Sequence, residues 1–327
     1  MNVLVVGGAG YIGSATCRAL LEAGHTVTVF DSLVKGHRGA LPDDAEFVLG
    51  DTADPDGLDR VFSSRSIDVV MDFAAFIEAG ESVNLPARYF RNNTASALTL
   101  IEAMIRHEVG RLVFSSSAAV FSNPETVPVE EDARLEPTNP YGESKLQVER
   151  MLDWIGAAHG LRFAALRYFN AAGAVSPDCG EDHEPESHLI PLVLGVALGH
   201  HEAIRIFGTD YPTPDGTCVR DYVHVADLAS AHLLAIEALA TRQSVRYNLG
   251  NGRGFSVREV VDCARRVTAR DLPVVECPRR PGDPATLVAS SAAMQADFGW
   301  APRYADLDSI VASAWEWHVR HPEGYGD

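Results

Sequence analysis

The chain has 327 residues, 46% of them hydrophobic, and a formal net charge of −18. This length exceeds one ordinary core and predicts a main core with a smaller second lobe, and the hydrophobic content excludes wholesale disorder. The negative charge disfavours nucleic acid and anionic membrane as partners, so an anionic ligand would need a few well-placed basic groups.

Short apolar runs alternate with longer helical patterns through the first half of the chain. The predicted strands are residues 3–6, 26–30, 46–49, 69–73, 112–115 and 163–168. The predicted helices between them are residues 14–23, 55–63, 86–107 and 141–159. Near-continuous apolar strands alternating with helices predict an α/β fold with a Rossmann-type, doubly wound parallel sheet covered on both faces.

The composition changes after about residue 175, where residues 178–188 are polar and acidic. Further helices are predicted near residues 189–198, 225–239, 256–268 and 307–319. We expect residues 247–249 to add a strand to the first sheet. We predict one domain over residues 1–175, to which a segment near 222–250 returns, and a smaller mixed α/β domain over residues 176–327.

The first predicted strand runs directly into a turn that contains Gly7, Gly10 and Gly13, and a helix follows. Glycine lets the strand turn sharply and lets the backbone approach a pyrophosphate, which the amino end of the helix attracts. A tight turn without a ligand is the alternative interpretation. The position between a strand and a helix is the context that dinucleotide binding requires, so we predict that residues 1–175 bind a dinucleotide.

Acidic residues follow the second and third predicted strands. Asp31 can accept hydrogen bonds from the adenosine ribose and would repel a 2′-phosphate, which predicts NAD over NADP. Asp51 can receive the adenine amino group, or it can cap the next helix. Lys35 lies near the same ribose or in a solvated loop, and both interpretations stay open.

A serine run, Ser115 to Ser117, ends the fifth strand, and Tyr141 and Lys145 follow on a predicted helix. Their YxxxK spacing puts the phenol and the ammonium on one face, one turn apart. A free tyrosine has a pKa of roughly 10, so it is a poor base near neutrality. We predict that Lys145 and a positive nicotinamide ring lower the pKa of Tyr141, while Ser117 orients the reacting alcohol and shares its proton.

These residues resemble the extended short-chain dehydrogenases, and longer strings narrow the resemblance to the UDP-galactose 4-epimerases. The strings are GES at 80–82, NN at 92–93, NPYG at 139–142, RYFN at 167–170, HLIP at 188–191, IFGTDYPTPDGT at 206–217 and RDYVHV at 220–225. The last two are the most diagnostic, and the resemblance covers nearly the whole chain. It implies that bound NAD takes a hydride from C4 of a UDP-hexose and returns it to the other face, interconverting UDP-galactose and UDP-glucose.

The resemblance also implies residue roles. Tyr141 would be the base, with Lys145 and Ser117 as its partners. The cofactor-binding residues would be Gly7, Gly10, Tyr11, Ile12, Gly13, Asp31, Ser32, Lys35, Gly36, Asp51, Thr52, Phe73, Ala74, Ala75, Asn92, Ser115, Tyr141, Lys145 and Tyr168. The substrate-binding residues would be Ser117, Tyr141, Asn170, His188, Leu189, Arg205, Phe207, Arg220, Tyr222, Arg280 and Asp283. Residues 176–327 would then form the nucleotide-sugar-binding domain.

Two departures from the family pattern leave alternatives open. Ile77 stands where some epimerases carry a lysine near the cofactor, which bears on how tightly NAD is retained. Leu287 has an intermediate size where side-chain bulk decides whether an N-acetyl sugar fits. Epimerases of UDP-N-acetylhexosamines, UDP-uronates or UDP-pentoses, a 4,6-dehydratase and a non-catalytic NAD sensor are the rival hypotheses. A dehydratase usually has Asp-Glu beside the catalytic hydroxyl, where this chain has Ala118 and Ala119.

The sequence also allows predictions of location, assembly and metal content. No apolar stretch reaches about 18 residues, the chain starts without a basic export leader, and the five scattered cysteines form no CxxC pair. We therefore expect a cytoplasmic protein without a membrane span. The resemblance implies a homodimer through helices 86–107 and 141–159. No metal is expected, because nothing resembles HExxH.

Overall fold

A computed structural model describes residues 1–121, 123–242, 244–280 and 282–326. Its strands are β1 (Asn2–Val6), β2 (Thr26–Asp31), β3 (Glu46–Leu49), β4 (Val69–Asp72), β5 (Arg111–Ser117), β6 (Arg162–Tyr168), β7 (Asn170–Ala172), β8 (Ile204–Phe207), β9 (Val219–His224), β10 (Val245–Leu249), β11 (Gly254–Ser256), β12 (Val274–Cys277) and β13 (Thr286–Leu287). No helix among the described residues has the length and apolar character needed to cross a membrane.

The helices alternate with the strands of the first half and dominate the second. They are α1 (Tyr11–Glu22), α2 (Pro55–Ser64), α3 (Ala79–Asn84), α4 (Pro86–Tyr89), α5 (Ser96–Arg106), α6 (Pro140–His159), α7 (Leu189–Leu198), α8 (Val225–Thr241), α9 (Val257–Thr268), α10 (Ala292–Phe298) and α11 (Leu307–Arg320). A π-helical turn, Phe90–Ala95, joins α4 to α5, so the predicted helix over 86–107 is one helical run with a bulge.

Seven strands form the main sheet in the order β10-β6-β5-β4-β1-β2-β3, and every neighbouring pair is parallel. Successive residues of β1 alternate between two cores. Val3 and Val5 pack with α1 and α8 on one face, and Leu4 and Val6 pack with α2, α5 and α6 on the other. Burial on both faces explains why β1 is apolar from Val3 to Val6. The predicted doubly wound sheet is confirmed, and residues 247–249 join it in β10 as expected.

The strand order reverses between β1 and β4. The chain leaves β1 towards β2 and β3, whereas β4, β5 and β6 lie on the other side of β1. Such a reversal opens a crevice beyond the carboxyl ends of the two strands, where open α/β sheets bind their ligands. The loops after β1 and β4 are therefore placed to form a site.

The second half contributes a small sheet, β11-β9-β13 with β7 beside β9, and a separate pair, β8 and β12. Helices α7, α9 and α11 pack together around a third core that includes Ile190, Val260 and Ile310. Strand β9 leads directly into α8, which packs against α1 beneath the main sheet. The short strands of this lobe and helices α3 and α10 were not predicted. The domain division at residue 175 stays a prediction.

Candidate active site

A cleft of about 530 Å³ opens at the carboxyl ends of the main strands. All nineteen predicted cofactor residues line it, from Gly7 to Tyr168. The predicted substrate residues that line it are Ser117, Tyr141, Asn170, His188, Arg220 and Asp283. In the described part of the chain, five others lie outside this lining: Leu189, Arg205, Phe207, Tyr222 and Arg280. Their assignment to the substrate stays a prediction.

The glycine turn follows β1 and leads into α1. Gly7 has a positive φ of 72°, and a Cβ at Gly7 would stand 2.6 Å from the backbone nitrogen of Ala74. A Cβ at Gly13 would stand 2.4 Å from the carbonyl oxygen of Gly7. The turn therefore needs glycine at both positions to hold β1, α1 and the loop after β4 in close contact. No side chain caps the amino end of α1 at Gly10, which leaves its N–H groups to a ligand.

Asp31 ends β2 and faces the glycine turn. Its Oδ2 accepts a hydrogen bond from Ala9 N (2.9 Å), and its Oδ1 accepts one from Leu33 N (2.8 Å). Burial raises the pKa of Asp31, and these backbone donors oppose the rise. The carboxylate thus fixes the turn as well as lining the cleft. Asp51 also lines the cleft, and its Oδ1 accepts from Ala53 N (2.8 Å). The helix-cap interpretation of Asp51 is wrong, because Asp54 caps α2 by accepting from Asp56 N.

The start of α6 positions Tyr141. Asn139 caps the helix by accepting a hydrogen bond from Gly142 N (2.9 Å), and Pro140 occupies the first turn, where its missing N–H costs nothing. A Cβ at Gly142 would stand 2.2 Å from the carbonyl oxygen of Ala119, so glycine lets α6 touch the turn after β5. Ser82 of α3 accepts from Tyr141 N (3.2 Å). These contacts bring Tyr141 beside Ser117.

Lys145 lies one turn further along α6 and is 3% exposed. Its ammonium donates to the carbonyl oxygen of Ser115 (2.8 Å) and lies over the ring of Phe114. Burial lowers the pKa of Lys145 to about 8, while the carboxylate of Asp72 opposes that fall. The sequence analysis missed Asp72, a buried acid at the end of β4 whose own pKa burial raises to about 6.

The predicted lowering of the Tyr141 pKa by Lys145 together with a nicotinamide ring stays a prediction, and the chain by itself shifts this pKa in the opposite direction. Burial raises the pKa of the phenol, the Ser117 hydroxyl opposes the rise, and the charge of Glu78 adds to it. The ammonium of Lys145 is hydrogen-bonded to the β5 backbone, and the causes that shift the phenol are burial, Ser117 and Glu78. Any fall in this pKa must therefore come from a ligand in the cleft.

Glu78 is a second missed residue of the cleft. Its Oε1 lies 2.7 Å from Lys35 Nζ, and Lys35 also donates to the carbonyl oxygen of Glu184 (2.6 Å). The side chain of Lys35 is 30% exposed and joins three segments around the cleft, and its contact with the ribose stays a prediction. Ile77 lines the cleft beside Glu78. This bridge could not be predicted from the sequence, because it joins loops that are far apart in the chain.

Arg220 marks the part of the cleft that the second lobe contributes. Arg220 donates to the carbonyl oxygens of Val219 (2.9 Å) and Pro284 (2.8 Å) and lies 3.6 Å from Asp283. These contacts hold the guanidinium at the cleft. Arg280 instead stacks over the ring of Phe207, 4.0 Å from its centroid.

His188, predicted to bind substrate, lies in the cleft with His183, which the sequence analysis missed. Nδ1 of His188 is 2.7 Å from Glu181 Oε1. Burial disfavours charge on His183, but Glu181 and Glu186 outweigh it and raise its pKa to about 10. The loop after β7 therefore presents a compact cluster of imidazoles and carboxylates.

A reversal of strand order with a glycine turn beside it, and a serine, a tyrosine and a lysine in the same cleft, define the extended short-chain dehydrogenase class. Comparison with known proteins narrows this class. Residues 3–250 match the model of the NAD dependent epimerase/dehydratase family. The chain belongs to this family.

Relatives resemble the chain over its whole length. The UDP-glucose 4-epimerase of Halalkalibacterium halodurans is 52% identical, over 99% of this chain and 98% of that protein. That of Streptomyces lividans is 53% identical, with coverage of 99% and 98%. A crystal structure of UDP-glucose 4-epimerase from Bifidobacterium longum in complex with NAD⁺ and UDP has a TM-score of 0.95 and 36% identity, and the match covers 99% of this chain and 100% of that one.

Proposed function

We propose that the chain is an NAD-dependent 4-epimerase that interconverts UDP-galactose and UDP-glucose. The observation that carries the proposal is a single cleft lined by the glycine turn, by Tyr141 and Lys145, and by Arg220 of the second lobe. Relatives about half identical over their full length carry the same activity in their names. Residues 1–175, with the returning segment 222–250, would bind the cofactor, and residues 176–327 the nucleotide sugar.

The cleft fits NAD. The positions where a Cβ would meet backbone, Gly7 and Gly13, form a cradle for a pyrophosphate at the uncapped start of α1. Asp31 lines the cleft with a carboxylate that favours NAD over NADP. When bound, NAD⁺ supplies a hydride acceptor for C4 of the sugar and a positive charge beside the phenol.

The chain's own groups move the proton. Tyr141 would take the proton of the C4 hydroxyl, and Ser117, beside it, would orient that hydroxyl. Lys145 would keep a positive charge behind the site, held in place by Ser115. When the hydride returns to the other face of the 4-keto sugar, Tyr141 would give the proton back, so the net redox change is zero.

A firm grip on the nucleotide must accompany a loose grip on the sugar, because the keto sugar has to turn over in the cleft. Arg220 would bind the diphosphate with its planar fork, helped by Asn170, while Asp283 and His188 would complete the near wall. The uridine would then extend beyond the cleft lining. There it would contact the remaining predicted substrate residues, which are Leu189, Arg205, Phe207, Tyr222 and Arg280.

The lining of the same cleft bears on which sugar nucleotide is accepted and which reaction it undergoes. Leu287 lines it, so its size bears on whether an N-acetyl group fits. Ala118 and Ala119 line it beside Ser117, where a 4,6-dehydratase would need an acid and a base. That pair of alanines disfavours the dehydratase.

Assembly and location follow as proposals. We propose a cytoplasmic homodimer that pairs α4, α5 and α6 with their copies. Trp154 on α6 is 80% exposed, which supports a partner at that face. All five cysteines are free, as in a reducing compartment.

The test is turnover without added cofactor. Purified protein should convert UDP-galactose to UDP-glucose and release NAD when denatured. Turnover of UDP-N-acetylgalactosamine alone would redirect the proposal to the N-acetylated substrates, and protein that binds NAD but converts no UDP-sugar would contradict it.

A further inference from the structure

The loop between β7 and α7 carries four side chains with metal-binding atoms: Glu181, His183, Glu186 and His188. One ligand atom of each lies within 4.8 Å of the other three. The cluster adjoins the cofactor side of the cleft, because the His183 ring meets the edge of the Tyr11 ring at a centroid distance of 6.2 Å. The proposed epimerisation gives the four residues no joint task.

Most of the distances within the cluster are long for hydrogen bonds. Nδ1 of His183 lies 3.4 Å from a Glu181 oxygen and 3.5 Å from a Glu186 oxygen. Nδ1 of His188 lies 3.6 Å from the other Glu186 oxygen. Two ligand atoms each about 2.0–2.1 Å from a tetrahedral zinc ion lie roughly 3.3–3.4 Å apart. These three separations are therefore close to those that a shared ion imposes. Nδ1 of His188 and Oε1 of Glu181 are only 2.7 Å apart and would move apart when both bind the ion.

Not every polar group of the cluster has a hydrogen-bond partner among the described residues. Nδ1 of His183 is buried and finds no hydrogen-bond partner in the described parts of the chain. The side chain of Glu181 is 4% exposed, so its carboxylate is held away from water. A buried carboxylate beside a nitrogen that makes only these long contacts is stabilised by a cation, either the protonated imidazole or a metal ion that replaces its proton.

We propose that Glu181, His183, Glu186 and His188 bind one zinc ion. Two imidazoles and two carboxylates suit zinc, and the two negative charges of the carboxylates balance the two positive charges of the ion. Magnesium favours oxygen ligands and is a poor fit. The metal-free expectation rested on the absence of HExxH, a helical pattern, whereas these ligands come from a loop.

The zinc ion would be structural, because four protein ligands leave no open position. It would fix the loop that meets the segment after β2. That loop carries Asp182, 3.6 Å from His37, and Glu184, whose carbonyl oxygen accepts from Lys35. A fixed loop would hold this segment against the cofactor side of the cleft.

The experiment measures zinc in the full-length protein. The protein is stripped with a chelator, loaded with zinc chloride at mildly alkaline pH, passed through a desalting column, and analysed for metal per chain. The variants are His183→Gln and Glu186→Gln. Matched controls are His200→Gln and Glu202→Gln, which change the same residue types at exposed positions outside the cluster. Circular dichroism checks the fold, and cobalt loading reports the geometry through its visible spectrum.

We expect one zinc ion per chain in the wild type and both controls, and an affinity at least about tenfold weaker in both cluster variants. Cobalt should show the intense visible bands of a tetrahedral site. Zinc content equal in the wild type and the cluster variants would overturn the proposal, as would no stoichiometric zinc or binding of magnesium alone. If the variants do not fold, an octahedral cobalt spectrum in the wild type would still refute the site.

Discussion

At the scale of single residues, the chemistry depends on a phenol whose pKa the protein raises rather than lowers. Burial dominates at Tyr141, and Lys145 is bound to Ser115. A phenol that resists ionisation in the free chain becomes a base only when a cation arrives beside it. The base would thus be switched on by the cofactor, which prevents idle proton transfer in its absence.

Tyr141→Phe tests the assigned base. The variant should fold and retain NAD, because its backbone contacts to Ser82 and Ser144 do not involve the phenol oxygen. Turnover of UDP-galactose should fall by about 10²–10⁴-fold, the usual contribution of a positioned acid–base group. Tyr304→Phe, which changes the same group away from the cleft, should keep normal turnover. Near-normal turnover in Tyr141→Phe would refute the assignment.

Burial lowers the pKa of Lys145 and Asp72 opposes that fall, which predicts a pH effect. The pKa of Lys145 is lowered to about 8, so its ammonium is present below that pH and lost above it. Turnover should therefore decline on the alkaline side. Because Asp72 raises this pKa, Asp72→Asn should move the decline to lower pH, as measured in pH profiles of kcat. The exposed control Asp56→Asn should leave the profile unchanged, and an unshifted profile in Asp72→Asn would contradict the coupling.

At the scale of elements, the site is assembled where helix starts and loops touch. The start of α6 contacts the turn after β5, and the segment after β2 is joined to Glu78 just before α3. Neither contact is local in sequence. Each can be broken by one substitution, so each gives a test of how the fold serves the site.

Gly142→Ala should separate Tyr141 from Ser117. The new Cβ would stand 2.2 Å from the Ala119 carbonyl oxygen, which is backbone and cannot rotate away. We expect a loss of about 1–3 kcal/mol in the free energy of unfolding and a lower kcat. Urea unfolding and kinetics measure both. In Gly110→Ala, the added methyl group meets open space and should have little effect; equal results for the two variants would count against the contact.

Lys35→Gln should loosen the cofactor side of the cleft. The variant loses the 2.7 Å ion pair with Glu78 and the bond to Glu184, which together join three segments. The NAD released per chain on denaturation should fall several-fold. Arg60→Gln, which removes an exposed pair with Asp54, should release as much NAD as the wild type. Unchanged NAD content in Lys35→Gln would show that the bridge does not retain the cofactor.

At the scale of the whole molecule, the main sheet and the long helices of the second half were predictable, and the short strands of the second lobe were not. Strands buried on both faces read as apolar runs, so β1 to β6 were found from the sequence. Strands such as β13, with two residues, leave no periodic signal. The glycine turn and Asp31 were predicted because they follow strands whose carboxyl ends share one edge, and the full set of cofactor residues was implied by the family resemblance. Glu78 and His183 were missed because no pattern shows which distant loops will meet.

The proposed homodimer has its own test at this scale. Trp154 is the most exposed large hydrophobic residue described, and it lies on α6. Trp154→Glu should place a charge in the pairing face and convert the dimer to monomer, as light scattering after gel filtration would show. Val275→Glu, at an exposed residue of β12, is the control and should leave the dimer intact. A monomeric wild type would refute the dimer.

The central claim is that one cleft oxidises C4 and returns the same hydride. Purified protein would be incubated with UDP-galactose deuterated at C4, without added NAD, and the UDP-glucose formed would be analysed by mass spectrometry and NMR. The account predicts UDP-glucose with the deuterium still at C4. Deuterium lost to water during conversion, or no UDP-glucose from NAD-loaded protein, would contradict it.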